Sequence, residues 1–360
     1  MTDKSITVLG GGNTAFSIAA NLSLRGYDIT LYEIPEFAHT LEPLQGNNTI
    51  TLHGAAKVGA AKLVKTTTDI SEALAAARLV LVPIPAYAHR PFAEVCAPHV
   101  REGQIIVVLP GTLGSLEFAK IFKDRGAAEG VILAETDTSP YVCRKTAPAE
   151  AHIWGSVNLG LGVLPASRTT EVTQILERVF PGITPLANVL ECGLSSLNPA
   201  VHPAGVLMNA GRIERSRGEF YFYDEGVTPG VVRVIEKVDA ERQAIGQAVG
   251  VGLPSVADAF HQAGFGPRGN LWETINGSHM LTQLKAPLVL ENRWLTEDTP
   301  YGLVAWSSLG NQLGVATPVI DSIIHLVSIM IQSDCREHGR TVKELGLEGL
   351  DQAAIKQLLE

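Results

Sequence analysis

The sequence predicts an α/β domain, with a doubly wound and mostly parallel sheet, followed by an all-α C-terminal domain. Short apolar runs alternate with helix-period segments through the first half, and a glycine-rich turn joins the first run to the first helical pattern. The second half is patterned largely as helices. A chain of 360 residues suits about two domains. The change of pattern near Asn188 sets the expected domains at 1–187 and 188–360.

In order, SITVLG (5–10) reads as a strand and NTAFSIAANLSLRG (13–26) as a helix that stops at Gly26, with YDITLYE (27–33) as the next strand. KLVKTTT, RLVLVPIP, QIIVVLPG and VILAET read as further strands, separated in part by helices around 70–77, 87–95 and 115–125. Pro83 lacks a donor for a central ladder, so the strand in RLVLVPIP should end near Val82. After Thr136 the alternation weakens, and SRTTEVTQILERVF reads as a helix. In TPGVVRVIEKVDAERQAIGQAVG, Val231, Ile235, Val238, Ile245 and Val249 share one helical face, with Pro229 in the first turn. TPVIDSIIHLVSIMIQ is apolar nearly all round, the pattern of a buried helix. Repeats, low-complexity stretches and long linkers are lacking, so the domains are expected to pack directly around a cleft.

Hydrophobic residues make up 46% and charged residues 18%, a globular composition, and the net charge of −9 argues against a nucleic-acid or anionic-membrane partner. The start MTDKSITVLGGG lacks the features of a secretory signal, and the apolar stretch Ile323–Ile331 is too short to span a bilayer. Cys96, Cys143, Cys192 and Cys335 are scattered, which predicts neither a disulfide framework nor a metal site. A reduced, cytoplasmic chain is expected.

Gly10-Gly11-Gly12-Asn13-Thr14-Ala15 fits G-x-G-x-x-A between a strand and a helix, the fingerprint of a Rossmann dinucleotide site. Gly10 makes the tight turn, Gly12 lets backbone approach a pyrophosphate, and Ala15 permits close helix–strand packing. The amides of Asn13 and Thr14 open the helix toward the phosphates. Glu33 ends the next strand, where a carboxylate bonds the adenosine ribose hydroxyls and repels a 2′-phosphate, so NAD is expected, with NADP possible. Pro85 and His89, and the turn Pro110-Gly111-Thr112, follow strands whose carboxyl ends should face the cofactor.

Hydride transfer at a C–O or C–N centre needs a proton donor or acceptor, and histidine, with an ordinary pKa near 6.5, suits that work. His202 begins a helix in the second domain, in SSLNPAVHPAGVLMNAGR. On periodicity alone a core or capping histidine is the simpler reading. ENRWLTEDTPYGLV offers Arg293, Glu297 and Asp298 as companions, but spacing does not show that Asp298 reaches His202. Asn198 and Asn209 could orient a substrate or cap a helix. Packing is the default for Phe220–Tyr223 and Trp272.

These residues carry a resemblance. The glycine fingerprint, Pro85-Ala86, PGTLGSLEF (110–118), Glu135-Thr136, Cys143-Arg144, Asn198 with His202-Pro203, FYFYDEGVTP, EKVDAER, Arg293 with Glu297-Asp298, GLV (302–304) and GRTVKELGLEGL together resemble the octopine/nopaline (opine) dehydrogenase family, nearly end to end. The resemblance implies NADH-dependent condensation of an L-amino acid with a 2-oxo acid such as pyruvate, a reaction that also runs in reverse. It implies His202 and Asp298 as the catalytic pair, Arg293 as the carboxylate grip, Asn198 and Cys143 as substrate residues, no metal, and a homodimer. Glu33 stands where relatives often carry aspartate, and Pro83 and Pro199 are local departures. The alternatives are a ketopantoate reductase-like or glycerol-3-phosphate dehydrogenase-like enzyme, for which Lys237 and Lys285 are the candidate lysines, or a non-catalytic NAD sensor.

Overall fold

The computed structural model describes residues 4–360. Its strands are β1 (Ser5–Leu9), β2 (Asp28–Tyr32), β3 (Thr49–Gly54), β4 (Gly59–Lys62), β5 (Lys65–Thr67), β6 (Leu79–Val82), β7 (Ile105–Val108), β8 (Ile132–Thr136), β9 (Tyr141–Ala147), β10 (Glu150–Ser156), β11 (Gly160–Leu164) and β12 (Thr184–Pro185). They form one sheet in the order β12-β11-β8-β7-β6-β1-β2-β5 and another in the order β4-β3-β10-β9. Interleaved helices are α1 (Asn13–Leu24), α2 (Ile70–Ala76), α3 (His89–Cys96), α4 (Gly114–Asp124), α5 (Thr169–Glu177) and α6 (Val189–Leu194).

The larger sheet is parallel through β2, β1, β6, β7 and β8, and β11 runs antiparallel to β8. A sheet covered on both faces has no wet side, which is why LVLV and IIVV are unbroken apolar runs. Leu79, Leu81, Ile105 and Val107 enter one core, while Val80, Val82, Ile106 and Val108 enter another. Each such side chain contributes about 1.5–3 kcal/mol by leaving water. β6 ends at Val82, immediately before Pro83. Chain order reverses on either side of β1, so the glycine turn after it lies at the switch point of the sheet.

In the first unit and at its boundary, three expectations are corrected. KLVKTTT is not one strand: its first residue ends β4 and Lys65–Thr67 forms β5, with Leu63 N–H bonded to Asn48 O at 2.8 Å and Val64 N–H to Ile29 O at 3.0 Å. The segment therefore crosses from one sheet to the other. The stretch after Thr136 holds the β9–β10 hairpin, which lies against α1 and is fixed there by Asn21 Nδ2 donating to Tyr141 Oη at 2.7 Å. The chain divides between Gly193 and Leu194, later than 187/188. The reason is that α6 packs on the sheet: a Cβ on Gly162 of β11 would lie 2.7 Å from Val189 Cα, and Cys192 Sγ meets Glu135 O at 3.2 Å.

The second unit, Leu194–Leu358, carries α7 (Asn198–Met208), α8 (Ala210–Ser216), α9 (Pro229–Ala248), α10 (Val256–Gln262), α11 (Leu271–Asn276), α12 (Arg293–Thr296), α13 (Val304–Gln312) and α14 (Pro318–Met330). α9 buries Val231, Ile235, Val238 and Ile245 as its periodicity requires. It also buries Arg242, whose guanidinium bonds Asp239 Oδ1 at 2.6 and 2.9 Å, Leu194 O at 2.8 Å and Pro254 O at 2.6 Å. Pairing with a carboxylate and two carbonyls is what makes this buried charge tolerable. α14 is not buried all round: Ile320, Ile323, Ile324 and Val327 face inward, whereas Leu326 and Ile329 are exposed. No helix among the described residues is long and apolar enough to cross a membrane.

Asp137, just past β8, accepts the Gly160 N–H at 2.8 Å. Burial, with a smaller push from Glu135, raises its carboxyl from 3.8 to about 7 despite that hydrogen bond. The folded state therefore loses relative stability as pH rises from the ordinary value of 3.8 through about 7. Asp137→Asn, which keeps an acceptor, is expected to raise Tm at about pH 8 and leave it unchanged near pH 4. Thermal melts at both values check this, and a lower Tm at the higher pH would contradict it.

Candidate active site

The glycine turn is shaped for close approach. Gly10 has φ +111°, and a Cβ there would lie 2.8 Å from Ile84 Cγ2, in the turn after β6. A Cβ on Gly11 would lie 2.1 Å from Thr40 Oγ1. Gly12 faces open space and caps α1 with no side-chain partner, and the first turn of α1 carries no acidic residue. The amides of Asn13, Thr14 and buried Ala15 thus form the positive end of a twelve-residue helix with room in front of it.

Glu33 is buried, with Oε2 accepting the Gly11 N–H at 2.6 Å and Oε1 the Ile34 N–H at 2.9 Å. Burial raises its pKa while these two amides oppose the rise. Each carboxylate oxygen keeps a second lone pair, so ribose hydroxyls remain acceptable partners. The donor set fits an NAD-type dinucleotide. Pro85 opens the turn beside Gly10, but His89 is fully buried: a Cβ on Gly114 would lie 2.2 Å from its Nδ1, and its ring meets Phe118 edge-on at 6.2 Å. The structure places His89 in the packing between α3 and α4, a correction to its expected place on the pocket wall. Cys143, on β9, lies in the first unit with Sγ 4.0 Å from Thr14 Oγ1, beside the fingerprint.

In the second unit the structure brings His202 and Asp298 together. His202 is the fifth residue of α7 and is buried, with Nδ1 2.8 Å from Asp298 Oδ2 and Nε2 3.0 Å from Tyr223 Oη. An ionised carboxylate only accepts, so Asp298 accepts a hydrogen bond from Nδ1–H, and Tyr223 O–H then donates to Nε2. Burial raises the pKa of Asp298, against the hydrogen bond and charge of His202. Burial, with the Asp298 charge behind it, also pushes the Tyr223 phenol up, so it stays protonated. Trp294 stacks on the imidazole, with ring centroids 4.4 Å apart and planes at 12°.

Both partners of His202 stand on π-helical turns, Phe222–Gly226 and Asp298–Leu303, closed by Val227 N–H to Phe222 O at 3.0 Å and Val304 N–H to Thr299 O. Such turns are rare and shift side chains by one residue relative to an α-helix. The second packs tightly on α7: a Cβ on Gly302 would lie 2.4 Å from Pro199 Cγ. Asn209 Nδ2 bonds Gly205 O and Gly226 O, both at 2.9 Å, a structural tie from α7 to the first π-turn.

Asn198, exposed, precedes His202 by one helical turn and so shares its face of α7. Arg293 is exposed on α12 next to Trp294, and its Nε bonds Glu297 Oε2 at 2.5 Å. Lys285 is an exposed partner of Glu219 at 3.4 Å, and Lys237 is exposed on α9. Sequence reasoning missed Trp294 and treated Tyr223 as packing; a Tyr within FYFYDEG and a Trp one residue past Arg293 carry no spacing signal of their own. Among the described residues no group of three or more His, Cys, Asp or Glu side chains could hold a metal ion.

Comparison with known proteins matches the two parts of the chain separately. Residues 5–114 match the NAD-dependent glycerol-3-phosphate dehydrogenase N-terminus, and residues 185–331 match the NAD/NADP octopine/nopaline dehydrogenase alpha-helical domain. An opine dehydrogenase of Arthrobacter sp. (strain 1C) is 34% identical, covering 99% of each chain, and the ocs protein of Agrobacterium tumefaciens (strain Ach5) is 25% identical over 98% of each. A solved octopine dehydrogenase in complex with NADH and agmatine superposes with TM-score 0.82 at 20% identity, covering 99% of this chain and 98% of that one. The chain therefore belongs to the octopine/nopaline (opine) dehydrogenase family, NAD(P)-dependent oxidoreductases acting on the CH–NH group.

Proposed function

We propose that this enzyme condenses an L-amino acid with a 2-oxo acid of the pyruvate type and reduces the product to an N-(1-carboxyalkyl)amino acid, and that His202 is its proton-transfer group. The observation that carries the reading is the hydrogen-bonded series Asp298–His202–Tyr223. A relative named vitopine synthase, and solved octopine dehydrogenases with L-arginine or pyruvate, support this substrate class.

The amine nitrogen adds to the oxo carbon to give a carbinolamine, which loses water to leave a C=N bond. Hydride and a proton then complete the secondary amine, and bound NADH supplies the hydride. Loss of hydroxide needs a proton: His202 first takes one at Nε2 from the ammonium form of the amino acid, Asp298 stabilises the resulting cation through Nδ1–H, and the cation then gives that proton to the departing hydroxide. A stacked indole favours the same cation. Tyr223 O–H occupies the Nε2 lone pair in this structure, so the reacting atom either replaces it or exchanges protons through it. Exposed Arg293 is suited to a substrate carboxylate through paired N–H bonds, and Asn198, one turn from His202, to a polar substrate atom. Cys143, the other proposed substrate residue, stands beside the cofactor loop, with Sγ 4.0 Å from Thr14 Oγ1.

NADH consumption is expected only when pyruvate and an amino acid are both present. Consumption with the oxo acid alone would mark a hydroxy-acid dehydrogenase instead. His202→Ala is expected to lower kcat by about 10²–10⁴ with the Kd for NADH unchanged, and a normal rate would remove His202 from the mechanism. Asp298→Asn keeps an acceptor but loses control of the tautomer, so kcat should fall by about 10⁴. Because the amide of that variant replaces a carboxylate that burial disfavours, Tm should not fall; calorimetry beside the assay separates the two effects.

A further inference from the structure

We infer that Lys145 is the cationic ligand for the phosphates of the bound dinucleotide. The fold delivers it from far along the chain: Lys145 N–H donates to Asn13 Oδ1 at 2.9 Å, tying β9 to the first residue of α1. Its Nζ lies 3.4 Å from Gly11 O and 3.6 Å above the centre of the Phe16 ring. The ammonium is thereby held beside the glycine turn, at the end of α1 whose amides are open to a phosphate.

The surroundings leave it lacking an anion. The Glu33 oxygens take backbone amides, and no carboxylate lies within ion-pair distance of Lys145 among the described residues. Lys145 is half-buried; burial lowers its pKa and the Glu33 charge opposes this. An ammonium has three donors. Gly11 O and the ring face use part of that capacity, and a phosphate oxygen would use the rest.

This also bears on cofactor choice. Counting charges near Glu33 in the sequence finds none that would offset its carboxylate, but the fold places Lys145 close enough for the two to interact. The inference rests on dinucleotide binding by this unit.

Titration of NADH and NADPH fluorescence without substrates tests it. Lys145→Met is expected to bind NADH about tenfold or more weakly, the loss of one charge-assisted hydrogen bond, while Lys145→Arg stays within about threefold of the parent. Equal losses for both cofactors assign the contact to the pyrophosphate, and a larger loss for NADPH assigns it to the 2′-phosphate. Unchanged affinities in a variant with parental Tm would overturn the inference while leaving the cofactor role intact. Failure of the parent to bind either cofactor would overturn both. If Lys145→Met does not fold, Lys145→Gln replaces it in the same titration.

Discussion

The hydrogen bond from His202 Nδ1 to Asp298 is the interaction on which the rest of the site depends. A neutral imidazole has one N–H; once that N–H is bonded to Asp298, Nε2 is the only atom that can accept or deliver a proton. A stacked indole fixes the ring plane and a phenol occupies the opposite nitrogen, so the imidazole has a defined position, tautomer and direction. Keeping a carboxylate buried raises its pKa, and the histidine it orients is also what offsets that rise. Function and local stability are opposed at Asp298.

The backbone is adapted to that bond. Asp298 and Tyr223 each stand on a π-turn, and close packing of Gly302 against Pro199 and of Gly205 against Phe222 brings those turns onto α7. A Cβ at either glycine would push a turn away from His202. The first unit has an analogous economy. Gly11 supplies an N–H to Glu33 and a carbonyl to Lys145, so one residue without a side chain positions both charges that flank the cofactor loop.

How much of this is legible in the sequence depends on the range over which each constraint acts. The β1–turn–α1 unit and the end of β6 at Val82 are local matters of glycine, proline and apolar run, and they read directly from the sequence. Lys145 and Asn13 stand far apart in the chain, as do His202 and Asp298, and no periodicity joins such pairs. Family resemblance names the second pair but not the first. The β9 strand is hidden because Arg144 and Lys145 interrupt its apolar alternation. Tyr223 and Trp294 belong to residue types that fill cores far more often than they orient an imidazole. His89 misleads the other way: its place after a strand suggests a pocket residue, but the missing Cβ of Gly114 makes room for it inside.

The most direct test of the central claim is the tautomer of His202 in the substrate-free enzyme, read by ¹⁵N NMR of histidine-labelled protein and assigned by loss of the signal in His202→Ala. The geometry requires a protonated Nδ1 and an unprotonated Nε2 in the neutral ring, with the Nδ1 proton shifted downfield by its bond to Asp298. An Nε2–H tautomer would contradict it, because the nitrogen aimed at Asp298 would then carry no proton to share.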